Sequence, residues 1–297
     1  MHDDAWQEPM TQHINRDHLQ RVTSLKTIEC HAELMSTMDR ARALAADPAT
    51  QLPALVIAAD QRNGRGRRGA GWWQPSGSLA MTFVMEIPTE GEIAGGILPL
   101  WSLVCGLAVV ESLQQLHPEL EPLVRWPNDI EIKGRKLAGL LVEATTTQQL
   151  LIGIGMNTAG SKDDAPPALQ ERLITVPDVL GTAISHNDLL GILIPHIEKN
   201  ICDAMSPSTC QSVLERYKAH CSLTNTSIKL FDVLCIDTKN ECNDQVARQK
   251  TTLVGFCRGI DKAGRLLIET PHETLAVLAG SLTDPLSIWK RDDSTTR

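Results

Sequence analysis

A glycine-rich stretch between two apolar runs limits the folds that this chain can adopt. In NGRGRRGAGWW, Gly64, Gly66 and Gly69 have the spacing of the pattern G-x-G-x-x-G. In a Rossmann fold, such glycines leave a strand and open a helix whose N-terminus holds pyrophosphate. The preceding run LVIAA predicts a strand, but Gly71 and Pro75 break any helix that would follow, and LAMTFVM then predicts another strand. The order strand, loop, strand argues against a Rossmann fold.

The same stretch is strongly basic. Arg65, Arg67 and Arg68 occupy three of four consecutive positions, and crowded guanidinium groups repel one another unless an anion lies between them. Trp72 and Trp73 follow, and large aromatic side chains in a loop must cover a ligand or be covered themselves. A solvated basic turn is the alternative. The pattern favours a flexible anion-binding loop with an aromatic lid.

The chain as a whole is acidic, which makes this loop a local exception. Its 297 residues carry a formal charge of −8, which argues against a general nucleic-acid binder. It contains no apolar run as long as about 18 residues, and its N-terminal segment lacks the apolar core of a signal peptide. The eight cysteines form no C-x-x-C pair, so we expect neither disulfides nor structural zinc. We expect a cytoplasmic protein that binds neither nucleic acid nor membrane.

Hydrophobic patterning divides the chain into two folded regions. Residues 1–25 are polar and are expected to form a flexible tail. Residues 26–222 combine helical and strand-like patterns, and residues 223–297 contain four short strand-like runs. The sequence predicts an α+β fold, with helices packed on a mixed β-sheet, followed by a small C-terminal β-barrel with a polar loop at 238–250. Helices are predicted after Ser36-Thr37 and at residues 97–116, 188–204 and 209–220.

A second polar cluster lies farther along the chain. Trp126-Pro127-Asn128-Asp129 precedes a turn at Lys133-Gly134, and Lys136 follows on the returning strand. The proline indicates an edge or a bend, where functional side chains tend to be exposed. Taken separately, these residues are explained by an ordinary turn and a solvated lysine. Together they place a carboxylate, an amide and an ammonium group on adjacent strands, a set that could hold Mg²⁺, ribose and phosphate.

Four motifs occur in a fixed order along the chain, namely GRGRRG, WPND, RKLAGLLVE and GIGMN. With the weaker STMD, and with GIDKAGRLLIE before AGSL, they resemble the pattern of the biotin protein ligase family from about Thr27 to about Leu282. The resemblance implies the class II synthetase-like catalytic domain of these ligases and a C-terminal SH3-like barrel. It is closest to the monofunctional type, because the N-terminal tail is too short for a helix-turn-helix domain.

The resemblance also implies an activity in two steps. Biotin and ATP, with Mg²⁺, would give biotinyl-5′-AMP and pyrophosphate, and the biotinyl group would then pass to one lysine of a biotin carboxyl carrier domain of a carboxylase. Bringing a carboxylate against the α-phosphate requires several fixed cations, which the loop arginines and Lys136 would supply. A loop ordered over the water-labile adenylate would protect it. The resemblance leaves open whether two chains form a homodimer.

By this resemblance, particular side chains receive roles. Arg67 matches the arginine that retains the adenylate, and Lys136 matches the lysine on the α-phosphate and the biotin carboxylate. Asp129 matches a carboxylate near the incoming lysine amine, acting as a base or as its electrostatic anchor. Asn128 matches a residue on the phosphate and metal side, which makes Asn128 and Asp129 the candidate metal ligands. Trp72 matches the aromatic that stacks on adenine once the loop closes.

The remaining matches concern the walls of the pocket. Ser36, Thr37, Gln61 and the backbone around Arg65 match positions that hydrogen-bond the biotin ureido ring. Glycines would leave room where a side chain would exclude the ligand. The other predicted binding residues are Gly64, Gly66, Arg68, Gly139, Gly153, Gly155 and Asn157.

Two positions depart from the family pattern. Met38 stands where the family often has asparagine, and Arg125 replaces the commoner lysine before WPND.

Two other functions are the alternatives. A lipoate or octanoate ligase or transferase shares the acyl-to-lysine chemistry but would lack the triple-arginine loop joined to WPND. A non-catalytic biotin sensor would keep the ring contacts while dropping Arg67, Asp129 and Lys136, all of which are present.

Overall fold

The computed structural model describes residues 14–87, 98–237 and 248–282. The helices in these ranges are α1 Arg16–Val22, α2 Thr37–Ala46, α3 Leu98–Leu116, α4 Pro167–Gln170, α5 Pro177–Leu180, α6 His186–Met205 and α7 Cys210–His220. The strands are β1 Thr27–Leu34, β2 Ala54–Gln61, β3 Leu79–Glu86, β4 Leu123–Arg125, β5 Asp129–Ile132, β6 Arg135–Ala144, β7 Gln149–Met156, β8 Ser227–Asp237, β9 Arg248–Ile260, β10 Leu266–Glu269 and β11 Thr274–Ser281.

The first seven strands form one mixed sheet in the order β1-β2-β3-β7-β6-β5-β4. β1 and β2 run parallel, whereas the other neighbouring strands are antiparallel. Lys133 and Gly134 join β5 to β6 with φ angles of 51° and 73°, the left-handed backbone that a tight two-residue hairpin requires. The structure confirms the mixed sheet and this turn.

Helices cover both faces of the sheet because its central strands are apolar on both sides. Along β2, Leu55 and Ile57 belong to a large core that includes α3 and α6, whereas Ala54 and Val56 belong to a smaller core under α2. This alternation follows from the two-residue period of a strand. None of the helices within the described ranges is both long and apolar enough to cross a membrane.

The last four strands close into a barrel in the order β10-β11-β8-β9, as the sequence predicted. Buried aliphatic side chains such as Leu230, Leu253 and Val277 fill its interior. Gly255 allows the walls to approach closely, since a Cβ there would lie 2.5 Å from Ile268 Cγ2. The barrel interior and the large core beneath the sheet form one continuous apolar cluster.

Two local expectations are wrong. Residues 16–22 of the supposed flexible tail form α1, because Leu19 buries its side chain completely in the core. Residues 248–250 of the predicted polar loop belong to β9. The rest of that loop, 238–247, and the first thirteen residues of the tail lie outside the described residues.

An ion-pair cluster fastens α2 to the edge strand β1. Arg40 donates to Glu29 from Nε at 2.7 Å and from Nη2 at 2.6 Å, and His31 Nε2 lies 2.9 Å from the same carboxylate. These hydrogen bonds, led by the one from Arg40, lower the pKa of Glu29 from 4.5 to about 2. A lowered pKa means that the ionised carboxylate stabilises the fold above pH 4.5, and that this contribution disappears as the pH falls toward 2.

We therefore expect Glu29→Gln to lower the free energy of unfolding at pH 7 by about 1–3 kcal/mol, because the charged bidentate pair is lost. The difference from the wild type should shrink steadily below pH 4.5. Urea unfolding at a series of pH values measures both effects. The control is Glu33→Gln on the same strand, where the exposed pair with Arg62 contributes little because solvent screens it. Equal losses for the two variants would contradict the assignment.

Candidate active site

A cavity of about 490 Å³ lies between the central strands and the arginine-rich loop. It brings together predicted residues that are far apart in the sequence. Those that line it are Ser36, Thr37, Gln61, Arg65, Gly66, Arg67, Trp72, Asn128, Asp129, Lys136, Gly139, Gly153, Gly155 and Asn157. Gly64 lies behind the wall, against Gln61 and Trp72, and the side chain of Arg68 lies outside the described part of the structure.

One wall of the cavity is polar and buried. Thr37 donates hydrogen bonds to Gln61 Oε1 from its backbone nitrogen at 2.9 Å and from Oγ1 at 3.1 Å. Thr82 Oγ1 on β3 donates to Thr37 Oγ1 at 2.9 Å. A network of this kind holds donors and acceptors in fixed positions within apolar surroundings. The wall is suited to a small, uncharged polar group of a ligand.

Ser36 belongs to this wall and does not cap the helix that follows it. It occupies the N-cap position of α2, yet its side chain makes no capping hydrogen bond. The side chain is buried and lines the cavity instead. The helix thereby forgoes a cap that is typically worth about 1 kcal/mol, and the hydroxyl faces the ligand space.

A second wall is apolar and depends on a glycine. Met38 is buried, and its Sδ would lie 2.8 Å from a Cβ placed on Gly153. The thioether therefore packs on bare β7 backbone. Gly153 makes room for the ligand indirectly, because it lets Met38 lie flat against the sheet.

Trp72 lies on a platform formed by two glycines. Gly139 on β6 and Gly155 on β7 are direct register partners. A Cβ on Gly155 would lie 2.4 Å from Trp72 Cε2, and a Cβ on Gly139 would lie 3.4 Å from Trp72 Cζ3, so the indole contacts the sheet where both side chains are missing. Lys136 Nζ stands 5.6 Å from the ring centroid, within cation–π range. The aromatic lid is thus seated inside the cavity.

The arginine-rich loop folds back on itself across the cavity. Trp72 N donates to Gly64 O at 2.9 Å, and the chain between them makes a short 3-10 turn at Arg67–Gly69. Arg67 Nη1 reaches Asn128 Oδ1 at 3.5 Å. The loop therefore spans from β2 to the turn between β4 and β5, which brings the two predicted clusters together.

Two of the predicted cations already have carboxylate partners. Lys136 Nζ lies 2.7 Å from Asp129 Oδ1, across β5 and β6. Arg65 Nη2 pairs with Asp39 Oδ1 on α2. An anionic ligand that binds either cation must therefore replace or share a carboxylate. The paired carboxylates reduce the net positive charge that the ligand meets. Binding then depends on where these carboxylates move.

Asn157 holds the strand that carries Lys136. Its Nδ2 donates to Ile174 O at 3.0 Å and, more weakly, to Lys136 O at 3.4 Å. Its backbone nitrogen donates to Leu137 O at 2.9 Å. The side chain is almost fully buried, so its contacts fix the backbone on which Lys136 stands.

The oxygen donors of the site are few. Residues 14–87, 98–237 and 248–282 contain no group of three or more His, Cys, Asp or Glu residues placed to hold a metal. Asn128 Nδ2 donates to Leu140 O at 2.7 Å, which fixes the amide and turns Oδ1 toward Arg67. Asn128 and Asp129 can therefore supply at most part of a magnesium coordination shell.

Sequence reasoning missed two charged residues beside the cavity. Asp39 pairs with Arg65, and Glu131, which is 6% exposed, accepts from Arg125 Nη1 at 3.0 Å. Glu131 lies between the buried residues Ile130 and Ile132 of β5, and no pattern in the sequence indicates a buried charge there. The Asp39 contact spans 26 positions, so no local pattern indicates it.

The seating of Trp72 predicts the effect of a single methyl group. Gly155→Ala places a Cβ within 2.4–2.8 Å of three indole atoms, which should expel Trp72 from the cavity. We expect red-shifted tryptophan emission and a loss of about 1–3 kcal/mol in unfolding free energy. The control repeats the substitution in a Trp72→Phe background, where the emission should not move. A shift of equal size in that background would refute the contact.

Comparison with known proteins finds similarity to one family of ligases. Residues 34–157 match the model of the biotin/lipoate A/B protein ligase family. A biotin–[acetyl-CoA-carboxylase] ligase of Paracoccus denitrificans is 34% identical over 163 residues, which are 52% of this chain and 65% of that protein. The protein of the same name from Mycobacterium tuberculosis is 26% identical over 94% of this chain and 97% of its own length.

A solved structure shares the fold. Biotin protein ligase from Aquifex aeolicus, in complex with biotin and ATP, superposes with a TM-score of 0.62 at 21% identity, over 87% of this chain and 95% of that chain. The chain spans slightly less than two thirds of the Paracoccus relative. The matched segment, from the end of β1 to the residue after β7, contains most of the residues that line the cavity. The similarity to the biotin/lipoate A/B protein ligase family thus extends over residues 34–157 of this chain.

Proposed function

We propose that the chain is an ATP-dependent biotin protein ligase. One observation carries the proposal: Lys136 and Asp129 are paired at 2.7 Å beside the indole of Trp72, in the same cavity as the buried Thr37–Gln61 network. A cation, a carboxylate and an aromatic face beside a neutral polar wall suit a ligand with an uncharged ring and an acidic tail, together with a nucleotide. The named relatives support the same activity.

The first step joins biotin to AMP. A carboxylate oxygen of biotin attacks the α-phosphorus of ATP, the bond to the β-phosphate oxygen breaks, and pyrophosphate leaves. Two anions meet in this step, so fixed cations lower its barrier. We assign that role to Lys136, released from Asp129, and to Arg67, which spans the cavity toward Asn128.

The second step transfers the biotinyl group. The neutral amine of a lysine attacks the acyl carbon, the anhydride C–O bond breaks, AMP leaves, and the amine loses a proton. Asp129 faces the cavity beside Lys136. We propose that it receives the lysine of the acceptor, either as the base or as an electrostatic anchor for its ammonium group.

Biotin is proposed to place its ureido ring against the polar wall. Ser36, Thr37 and Gln61, with the backbone around Arg65, provide that wall. The apolar part of the bicyclic ring would lie on Met38, which Gly153 holds flat. Met38 cannot donate a hydrogen bond. The ring is therefore recognised mainly by the buried polar network of Thr37 and Gln61.

The nucleotide is proposed to lie on the side of Trp72 and the glycine platform. A planar base can stack on the indole, whose other face rests on Gly139 and Gly155. Mg²⁺ would enter as part of MgATP, because magnesium usually takes one or two protein oxygens and fills its shell with phosphate and water. Asn128 and Asp129 have that small number of donors.

The proposal extends to partners and location. The acceptor would be a biotin carboxyl carrier domain of a carboxylase, and a homodimer is compatible with the proposal. We place the protein in the cytoplasm on its composition, and the cysteines among the described residues are free thiols. No nucleic acid or membrane has a part in the proposed reaction.

A lipoate or octanoate ligase or transferase is the second candidate, because the matched family model names lipoate beside biotin. The buried donors and acceptors of the Thr37–Gln61 wall disfavour it, since an aliphatic or dithiolane ring would leave them unpaired. A non-catalytic biotin sensor is disfavoured by Lys136 and Arg67, whose charges a sensor does not need.

Pyrophosphate release with MgATP, and with biotin, lipoate or octanoate in parallel, tests the proposal. We expect release with biotin alone, followed by labelling of a lysine when a carrier domain is added. Release with lipoate or octanoate alone would overturn the biotin assignment, and biotin binding without pyrophosphate would indicate a sensor. Lys136→Ala should slow adenylation at least about 100-fold, whereas Lys133→Ala, in the exposed turn of the same hairpin, should not.

Asp129→Asn separates the two steps. Timed independently, transfer from preformed adenylate to the carrier should fall by about 100-fold, because the acid–base or anchoring group is lost. Adenylation should fall less, since Lys136 remains in place. A base would also give transfer a pH dependence that the variant lacks, whereas an anchor would mainly raise the KM for the carrier. An unchanged transfer rate would remove Asp129 from the mechanism.

A further inference from the structure

We propose that Asp39 is a positioning residue that latches the arginine-rich loop onto helix α2. The consequence for catalysis rests on the proposed function, but the latch itself does not depend on any ligand. Asp39 Oδ1 accepts hydrogen bonds from Arg65 Nη2 in the loop and from Arg42 Nη1, at 2.9 Å, one turn along its own helix. Arg42 in turn donates from Nη2 to Glu143 on β6.

This chain of alternating charges connects the loop, the helix and the sheet. Arg65 lies in the loop, Asp39 and Arg42 on α2, and Glu143 on β6. Asp39 pairs with the loop residue Arg65, whereas Glu143 lies on the sheet and pairs with Arg42. Only one of the two carboxylates contacts the loop, which makes them a matched pair for substitution.

The latch acts on both sides of the cavity at once. The helix turn that carries Asp39 also carries Thr37 and Met38 of the ring-binding walls. On the loop side, Arg65 forms an antiparallel bridge with Gly71, the residue before Trp72. Holding Arg65 therefore holds the hairpin that seats Trp72 on the glycine platform and carries Arg67.

The pair also decides what Arg65 does. Arg65, paired with Asp39 on α2, fastens the loop. The phosphate charge falls to Arg67 and to Lys136, whose partner Asp129 lines the cavity and releases it in the proposed first step. This refines the expectation that all the loop arginines act as anion ligands. The backbone of Arg65 remains at the cavity wall, where the polar ring is proposed to bind.

The strength of the latch suits a loop that must open in every turnover. The side chains of Arg65 and Asp39 are 40% and 42% exposed, and ion pairs between such groups are weak and are screened by salt. Ligand entry and product release therefore need to break only a weak contact. While it is made, the loop covers the cavity and keeps water from the labile adenylate.

Chymotryptic cleavage after Trp72 and Trp73, followed by mass spectrometry on the ligand-free full chain, tests the latch. No variant below alters these cleavage sites. We expect Asp39→Asn to raise the cleavage rate about two- to fivefold at low salt, with the difference vanishing near 1 M NaCl. Glu143→Gln, which removes the other carboxylate of the network, should leave the rate unchanged.

A charge exchange separates the latch from a general role of Asp39 in α2. An acidic residue in the first turn favours the helix, so Asp39→Arg should weaken α2 in any background. Combined with Arg65→Asp, the same change restores an ion pair to the loop and should return the cleavage rate to the wild-type value. Equal cleavage in Asp39→Asn and wild type, equal effects of Asp39→Asn and Glu143→Gln, or no rescue by the exchange would each overturn the latch.

The release rate of the reaction intermediate tests the functional consequence. Preformed biotinyl-5′-AMP should leave Asp39→Asn about two- to fivefold faster than the wild type, with the rate of its formation nearly unchanged. An unchanged release rate would overturn the functional role of the latch. If the wild type formed no adenylate at all, the proposed function would fail, and the cleavage experiment on the ligand-free protein would still decide whether the latch exists.

Discussion

The cavity depends on the absence of side chains at neighbouring positions of two central strands. Gly139 and Gly155 face each other in register, and the indole of Trp72 lies where their side chains would stand. Two residues away along β7, on the same face, Gly153 does the same for Met38. A sheet otherwise packed with branched residues on both faces thus leaves a hollow at one place, and the aromatic and thioether groups that enter it form the floor of the site.

Electrostatic pairing is the second organising principle. Three cations that line the cavity are each paired with a carboxylate: Lys136 with Asp129, Arg125 with Glu131 and Arg65 with Asp39. Such pairing reduces the repulsion between cations that lie close together. It also sorts the cations by task, because the partners differ in location. Asp129 lies within the cavity, Glu131 is buried in the strand, and Asp39 belongs to a helix outside the loop.

The sequence predicted most of the residues that line the cavity but few of the contacts between them. The motifs singled out Lys136, Asp129 and the loop, which line one cavity, because each is a short segment whose chemistry is unusual for its setting. Helix α1 was not predicted, because Leu19 is its single buried residue and its sequence therefore shows no helical repeat of apolar residues. The contact between Asp39 and Arg65 was beyond reach for a different reason: it joins two ordinary surface residues through the fold. Trp72 was predicted only as a lid. Its contact with the sheet could not be predicted, because it depends on the register between β6 and β7.

The barrel adds a connection that is easy to overlook. Its last strand ends at Ser281, and Gly280, Ser281 and Leu282 line the cavity, with a Cβ on Gly280 lying 3.8 Å from Trp126. Together with the continuous apolar cluster, this contact means that the barrel is not an independent attachment. Mutational drift in the barrel is therefore constrained by the chemistry of a site formed mainly by the other sheet, and a ligand in that site stabilises both parts against unfolding together.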